Sequence, residues 1–182
     1  MRRLVFLVIP AALSFHRPPA VPPPFEIDGQ PVHPACIYEL LTRLSDLRPI
    51  RTAVDVQGCV ESDEHSGGTV SYLRGGVWYR NPDVMERRYL AYWVVGTTQG
   101  GVHVLETAES GGGSGIFMSV LLVRLSQEIY VHDDGWGTRW ILTSLGEIDL
   151  GDRSDKRVTL QGETLLVRDP EGSEESFVIP SP

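Results

Sequence analysis

The stretch IFMSVLLVRLSQEIYVHDDGWGTRWIL, residues 116–142, decides the fold class. Its first ten residues are the most hydrophobic run inside the chain, and a run of that kind predicts a strand in the middle of a sheet. Two further strand-like runs, 128–133 and 136–142, flank Asp134-Gly135, which is typical of a tight hairpin turn. The stretch therefore predicts consecutive antiparallel strands.

Glycine-containing turns separate further strand-like runs on both sides of this stretch. Their signals are Asp28-Gly29, Arg74-Gly75-Gly76, Thr97 to Gly101 and Gln161-Gly162-Glu163. Strand signals thus recur about every 8 to 14 residues, which is typical of an all-β meander. The chain is predicted to be mainly β (α+β): an antiparallel β meander, barrel-like or sandwich, with one N-terminal helix packed on it.

The one predicted helix covers residues 34–45. Pro34 suits the first helical position. The apolar residues that share one helical face are Ile37, Leu40, Leu41 and Leu44. Residues 52–57 alternate in polarity and are predicted to form the next strand.

Cys36 and Cys59 are the only cysteines of the chain. An even count in an exported chain predicts a disulfide, which would stabilise the fold by roughly 3 kcal/mol on the loop-entropy model. Two free buried thiols are the alternative. A zinc site would need His33 and His65 as further ligands, and we predict no metal site.

The N-terminus indicates export. Residues 1–14 combine two arginines, an apolar run of about ten residues and a small residue at the end, as a signal peptide does. That run is too short to span a bilayer, which takes about 20 residues. We therefore expect a signal peptide at 1–14, a Pro-rich lead at 15–24 and a single β-rich domain at 25–182. The expected location is periplasmic or secreted, with no membrane span after signal cleavage.

The net charge of −8 bears on the partner. Nucleic-acid affinity rests largely on Lys and Arg contacts with phosphates, so a chain this acidic is not expected to bind nucleic acid. No sequence motif points to a cofactor, and none is predicted.

The glycine-rich segment SGGGSGIF, residues 110–117, is the main motif. Its Ser114 lacks the second glycine of a nucleophile elbow, and the segment has no phosphate-loop lysine. Its backbone N–H groups can hold an anion or a peptide carboxylate, whereas a plain strand connection is the alternative. Exposed aromatic rings can add a binding platform. The predicted ligand-binding residues are Gly113, Ser114, Gly115, Phe117 and Trp136.

Two acidic groupings are weaker candidates. His132 with Asp133 or Asp134 can serve acid–base chemistry or hold a cation, but Asp before Gly also suits a hairpin turn. We assign no catalytic residue there. The second grouping has irregular spacing, so a solvated loop is predicted for Glu147, Asp149, Asp152 and Asp155.

Three segments resemble a loose group of uncharacterised bacterial exported proteins. They are FEIDGQPVHPACIYELL at 25–41, SGGGSGIF at 110–117 and LGDR at 150–153. The group shares a GGSG-aromatic turn and a downstream GDR motif. Some members carry an Asp-rich cation loop, but residues 96–101 of this chain hold no carboxylate near that place. The resemblance implies export and an ordered glycine-rich turn, and it implies no activity.

These observations favour an exported, non-catalytic binding or inhibitor module of the cell envelope. The expected partner is a protein, peptide or glycan of the envelope, for example a basic hydrolase, because opposite charge speeds encounter. One alternative is a hydrolase that uses His132 with Asp133 or Asp134. Another is a structural envelope subunit, which would self-associate through an uncovered strand edge.

Overall fold

The structure is a computed structural model that describes residues 25–42, 51–61, 68–80, 88–132 and 135–180. The predicted signal peptide and Pro-rich lead lie outside these ranges, as do Asp133 and Asp134. Among the described ranges, no helix has the length and apolar character that crossing a membrane requires.

The described residues form a mainly β fold, as predicted. The N-terminal part holds β1 (Glu26–Ile27), β2 (Gln30–Pro31), α1 (Pro34–Tyr38), β3 (Ala53–Asp55) and α2 (Val56–Val60). The strands that follow are β4 (Thr69–Leu73), β5 (Gly76–Arg80), β6 (Arg88–Thr97), β7 (His103–Gly111), β8 (Phe117–His132) and β9 (Gly135–Asp152). The chain continues with β10 (Arg157–Gln161), β11 (Thr164–Arg168) and β12 (Glu174–Val178).

Seven strands form one antiparallel sheet in the order β3-β9-β8-β7-β6-β5-β4, which curls into a half-barrel. From β4 to β9, each strand pairs with the next strand of the chain, so the predicted meander is confirmed. Strands β10 to β12 form a separate three-stranded sheet, and β1 pairs with β2.

Two predicted hairpin turns have the backbone geometry that their sequences require. Asp28 and Gly29 both have positive φ angles, 52° and 75°, between β1 and β2. Arg74 and Gly75 have nearly the same angles, 53° and 75°, between β4 and β5. Positive φ at both central residues defines the primed turn that matches the twist of two antiparallel strands.

Apolar clusters cover both faces of the large sheet. On one face, here called the inner face, Leu105, Leu121 and Leu142 pack beneath the N-terminal hairpin and the two helices. On the opposite, outer face, Val104 and Val120 pack against the three-stranded sheet. The predicted packing of an N-terminal helix on the sheet is confirmed.

The predicted disulfide is confirmed, since Cys36 and Cys59 are bonded with their Cα atoms 5.5 Å apart. It joins α1 to α2, and both cysteines belong to the inner core.

Two local predictions near the disulfide are wrong. The helix predicted at 34–45 ends at Tyr38, although Leu40 is still buried. Residues 43–45, which include Leu44 of the predicted apolar face, lie outside the described ranges. The strand predicted at 52–57 ends at Asp55, and a helix follows it. The Asp55 carboxylate accepts hydrogen bonds from the backbone N–H of Gln57 at 3.0 Å and of Gly58 at 3.3 Å, and this N-cap starts α2.

The central hairpin is longer than predicted. The separate strands expected at 116–125 and 128–133 are one strand, β8. The strand expected at 136–142 continues to Asp152, so Glu147, Asp149 and Asp152 lie in β9 and not in a solvated loop, whereas Asp155 follows the strand. The Glu147 carboxylate accepts hydrogen bonds from the backbone N–H and the hydroxyl of Thr42, at 2.9 and 2.7 Å.

Candidate functional site

The predicted ligand-binding residues lie at opposite ends of the β8–β9 hairpin. Phe117, beside the glycine-rich turn, pairs with Asp152, whereas Trp136 pairs with Val131. Phe117 and Val131 are fourteen positions apart along β8, which corresponds to roughly 45 Å of strand. Trp136 therefore does not share one compact site with the turn, and the two ends are separate candidates.

The glycine-rich turn connects β7 to β8 and is held by the end of β9. The backbone N–H of Ile116 donates to the Asp152 carboxylate at 2.7 Å, and the Arg153 N–H donates to the Ile116 carbonyl at 2.8 Å. Asp152 and Arg153 belong to the GDR motif of the resemblance, which here fixes the turn. Phe117 is 38% exposed, and its ring lies so close to Gly115 that an added Cβ would meet it at 3.2 Å.

Buried polar side chains lie on the inner face next to this turn. The Thr107 and Ser119 hydroxyls are 2.8 Å apart, and both residues are buried. Glu109 is also buried, and it pairs directly with Phe117 across β7 and β8. Sequence reasoning did not single out these residues, because short polar side chains in a strand pattern normally face solvent.

The opposite end of the hairpin extends beyond its neighbours, and we call residues 127–140 the arm. Pairing between β7 and β8 ends at His103 and Val123, and β3 covers β9 only from Ile141 to Thr143. Within the described ranges, the arm therefore has no third strand on either side. Its paired length is roughly 20 Å.

One face of the arm is apolar and open to solvent. Trp136 is 81% exposed, Ile129 72% and Val131 68%. Val131 and Trp136 are direct cross-strand partners and Ile129 is two residues from Val131, so the three side chains share a face. Together they expose roughly 400 Å² of apolar surface, about 200 Å² from the indole and about 100 Å² from each aliphatic chain.

The other face of the arm is polar and largely satisfied within the chain. The Arg139 guanidinium lies 3.6 Å from the Glu128 carboxylate and 3.8 Å from that of Asp55. It also lies over the Tyr130 ring, 5.7 Å from its centroid. The Tyr130 ring in turn covers Gly137, where a Cβ would meet it at 2.9 Å. The arm is thus amphipathic, with one polar face that makes contacts within the chain and one apolar face that is open to solvent.

Sequence reasoning singled out Trp136 but not Ile129 and Val131. Their alternation with Tyr130 predicted a strand, and it did not show which face would be left open. Ile129 and Val131 are exposed because the neighbouring strands end before them. The sequence around these two residues does not show where those strands end.

The described part of the structure gives no distances between the proposed acid–base side chains. His132 ends β8 opposite Gly135, its side chain is outside the described part, and Asp133 and Asp134 are outside it as well. Among the described residues, no three His, Cys, Asp or Glu side chains are grouped to hold a metal. The hydrolase alternative stays a prediction.

Other aromatic and ionisable side chains are fixed by packing. Trp78 and Trp93 are edge to face at 5.5 Å, and the indole N–H of Trp93 donates to the Arg74 carbonyl at 3.3 Å. On the outer face, burial raises the pKa of Glu106.

No protein-family model, curated protein or solved structure matches the chain.

Proposed function

We propose that this protein is an exported, non-catalytic binding module of the cell envelope, and that the arm is its binding element. The observation that carries the proposal is the exposure of Ile129, Val131 and Trp136 on one face of a two-stranded extension. An apolar patch of this size on a soluble domain is typical of an interaction surface.

The stability of the arm supports a bound partner. A two-stranded hairpin is only marginally stable in water, and it gains stability when a third strand or another surface covers its apolar face. A partner that covers Trp136 would bury the largest exposed side chain of the face, and buried tryptophans often dominate binding energies. The polar face would stay in solvent, so binding would leave no charge buried.

The disulfide and the charge support the envelope as the site of action. Disulfides persist in oxidising compartments, so the Cys36–Cys59 bond agrees with export. The net charge of −8 would speed encounter with basic proteins, which keeps an inhibitor role within the proposal.

Capture from envelope extract tests the proposal. The bait is the chain from Phe15 onward, produced in an oxidising compartment, and bound proteins are quantified by mass spectrometry. The arm variant is Val131→Thr with Trp136→Thr. The control for the valine position is Val178→Thr, since Val178 is a strand valine on the small sheet that is 79% exposed, compared with 68% for Val131. Threonine keeps β propensity while removing apolar surface.

A second variant separates the two ends of the hairpin. Gly113→Asp with Phe117→Ala alters the glycine-rich turn, and position 113 has open space for a side chain. We expect wild type, the turn variant and the Val178 control to capture the same partner. The arm variant should fail to capture it. Loss with the turn variant alone would move the binding site to the glycine-rich turn. Equal recovery with every variant would remove both candidate sites.

A further inference from the structure

We propose that the outer face of the large sheet carries a second binding site, for a saccharide that bears one carboxylate group. The site is a row of three aromatic side chains, Tyr89, Trp78 and Trp93, here called the aromatic row. It lies on β5 and β6, away from the arm, and it goes beyond the proposed function. It follows from the position of the rings, the charged groups at both ends of the row and the size of the local charge.

The sheet register places the three rings on one face. Trp93 pairs with Glu106 of the outer face, Trp78 pairs with Ala91, and Tyr89 shares their face by alternation along β6. The Trp78 ring centroid lies 5.4 Å from that of Tyr89 and 5.5 Å from that of Trp93. The rings therefore form a continuous row, with the small Ala91 side chain between Tyr89 and Trp93 on β6.

The rings are fixed in place but not fully covered. The indole N–H of Trp78 donates to the Leu73 carbonyl at 3.0 Å, and that of Trp93 donates to the Arg74 carbonyl at 3.3 Å. Both tryptophans and Tyr89 are partly exposed, and the described members of the two apolar cores do not include them. Because the indole N–H groups are already bonded, the exposed part of each indole offers apolar ring surface to a ligand.

A charged side chain lies at each end of the aromatic row. Arg80 is exposed and pairs with Tyr89 across β5 and β6, whereas Glu106 is partly exposed beside Trp93. Within the described ranges, neither Arg80 nor Glu106 forms an ion pair or a side-chain hydrogen bond. Burial raises the pKa of Glu106, as expected for a carboxylate that loses water and gains no donor. Both charged groups can therefore bond to a ligand.

The arginine end of the row adjoins the glycine-rich turn. Tyr89 pairs with Ser110, where the turn begins, and the Arg153 N–H donates to the Ile116 carbonyl at the end of the turn. Burial raises the pKa of Tyr89, and the positive charges of Arg80 and Arg153 partly offset this rise. Both guanidinium groups thus act on this end of the row. Guanidinium groups bind carboxylates with two parallel hydrogen bonds, so a carboxylate fits here.

The local charge favours a ligand with a single negative charge. The Arg153 guanidinium is 3.5 Å from the Asp152 carboxylate, so Arg80 supplies the one unbalanced positive charge. A nucleotide would bring more than one negative charge to a chain whose net charge is −8.

The position on a sheet face favours a saccharide over a peptide. An extended peptide binds through the free backbone groups of a strand edge, whereas β5 and β6 are paired with each other and each has a further partner strand. A sugar ring instead lays its C–H groups on aromatic surface, and its hydroxyl groups can donate to the Glu106 carboxylate. The ligand carboxylate would then lie at the Arg80 end of the row.

An NMR titration of the ¹⁵N-labelled chain tests the inference. The indole N–H signals of Trp78 and Trp93 report on the aromatic row, and those of Trp136 and Trp140 on the arm serve as an internal control. The probe is glucuronic acid. Glucose is its neutral counterpart, and acetate and inorganic phosphate are anions without a sugar ring. We expect glucuronate to shift the Trp78 and Trp93 signals with a dissociation constant on the order of 1 mM, and the other three compounds to bind at least about tenfold more weakly.

Two pairs of variants separate a binding role from a structural one. Arg80→Ala removes the unbalanced charge, and its control, Arg51→Ala, removes an exposed arginine that contacts Glu39 at the end of α1. Tyr89→Leu removes a ring, whereas Tyr89→Phe retains it. We expect Arg80→Ala to weaken glucuronate binding about tenfold and Tyr89→Leu several-fold, with both controls close to wild type. Circular dichroism of each variant checks folding.

Three results would overturn the inference. They are no shift of the Trp78 and Trp93 signals with glucuronate, an equal shift with glucose, acetate or phosphate, and equal weakening by Arg80→Ala and Arg51→Ala. None of them contradicts the proposed function, because the aromatic row shares no residue with the arm.

Discussion

The buried His103 makes fold stability depend on pH in a defined window. His103 lies on β7 and is 2% exposed. Its Nδ1 atom is 2.9 Å from the Thr97 hydroxyl, and its ring centroid is 4.9 Å from that of Phe25. Burial lowers the pKa of His103 from 6.5 to about 4, because the charged imidazolium loses its hydration in this site.

The size of the effect follows from this difference in pKa. Between about pH 6.5 and pH 4 the unfolded chain binds a proton at this histidine and the folded chain does not, so stability falls as the pH falls. At pH 4 the accumulated loss is about 3 kcal/mol, at 1.36 kcal/mol for each unit of pKa difference. Above pH 6.5 the contribution is fully present. The sign is that of a depressed pKa: protonation favours unfolding.

The assay compares wild type with His103→Gln by urea denaturation at several pH values. Glutamine keeps a hydrogen-bonding side chain and cannot take up the proton. Carboxylates titrate in both proteins, and Glu106, whose pKa burial raises, acts in the opposite direction, so the difference between the two proteins isolates His103. Between pH 7 and pH 4, the free energy of unfolding of wild type should fall by about 3 kcal/mol more than that of the variant. Parallel stability curves would refute the burial argument.

Three further substitutions test the disulfide and the packing on the two faces of the large sheet. Replacing Cys36 and Cys59 together by alanine should lower the free energy of unfolding by about 3 kcal/mol, because the bond spans 23 positions of the chain; an unchanged urea midpoint would contradict this. Tyr92→Phe should cost about 1 to 2 kcal/mol, since the tyrosine hydroxyl donates to the Val32 carbonyl at 2.5 Å in the core. Calorimetry should show a lower melting temperature for Tyr92→Phe than for wild type. Equal melting temperatures would contradict the buried hydrogen bond between Tyr92 and Val32. Gly76→Ala should lower the free energy of unfolding by about 1 to 3 kcal/mol, because the new methyl group displaces the Trp93 indole. The wavelength of maximum tryptophan emission should change with it, and an unchanged emission spectrum would contradict this.

Local turn chemistry was predictable from the sequence. At Asp28-Gly29 and Arg74-Gly75 the required positive φ angles restrict the choice of residue, so the sequence itself carries the signal. The disulfide was predictable for a similar reason, since the chain has only two cysteines. These features depend on a few residues and on little else.

Strand length and exposure depended on distant residues. Residues 143–152 contain two glycines and several acids, which suggested a loop, yet they pair with β8 through bulges that absorb the irregular sequence. Helix α2 starts where the Asp55 side chain caps it, and that competing geometry replaced the predicted strand. The open face around Val131 exists because β7 and β3 end before it. No local pattern in β8 reports where another strand stops.

The most direct test of the arm as a binding surface is photo-crosslinking in cells that express the chain. A benzophenone side chain replaces Val131 in one protein and Val178 in a second, so two exposed strand valines are compared at equal reactivity. We predict a discrete adduct with an envelope protein from position 131 and none from position 178. Absence of an adduct at 131, or the same adducts from both positions, would contradict it.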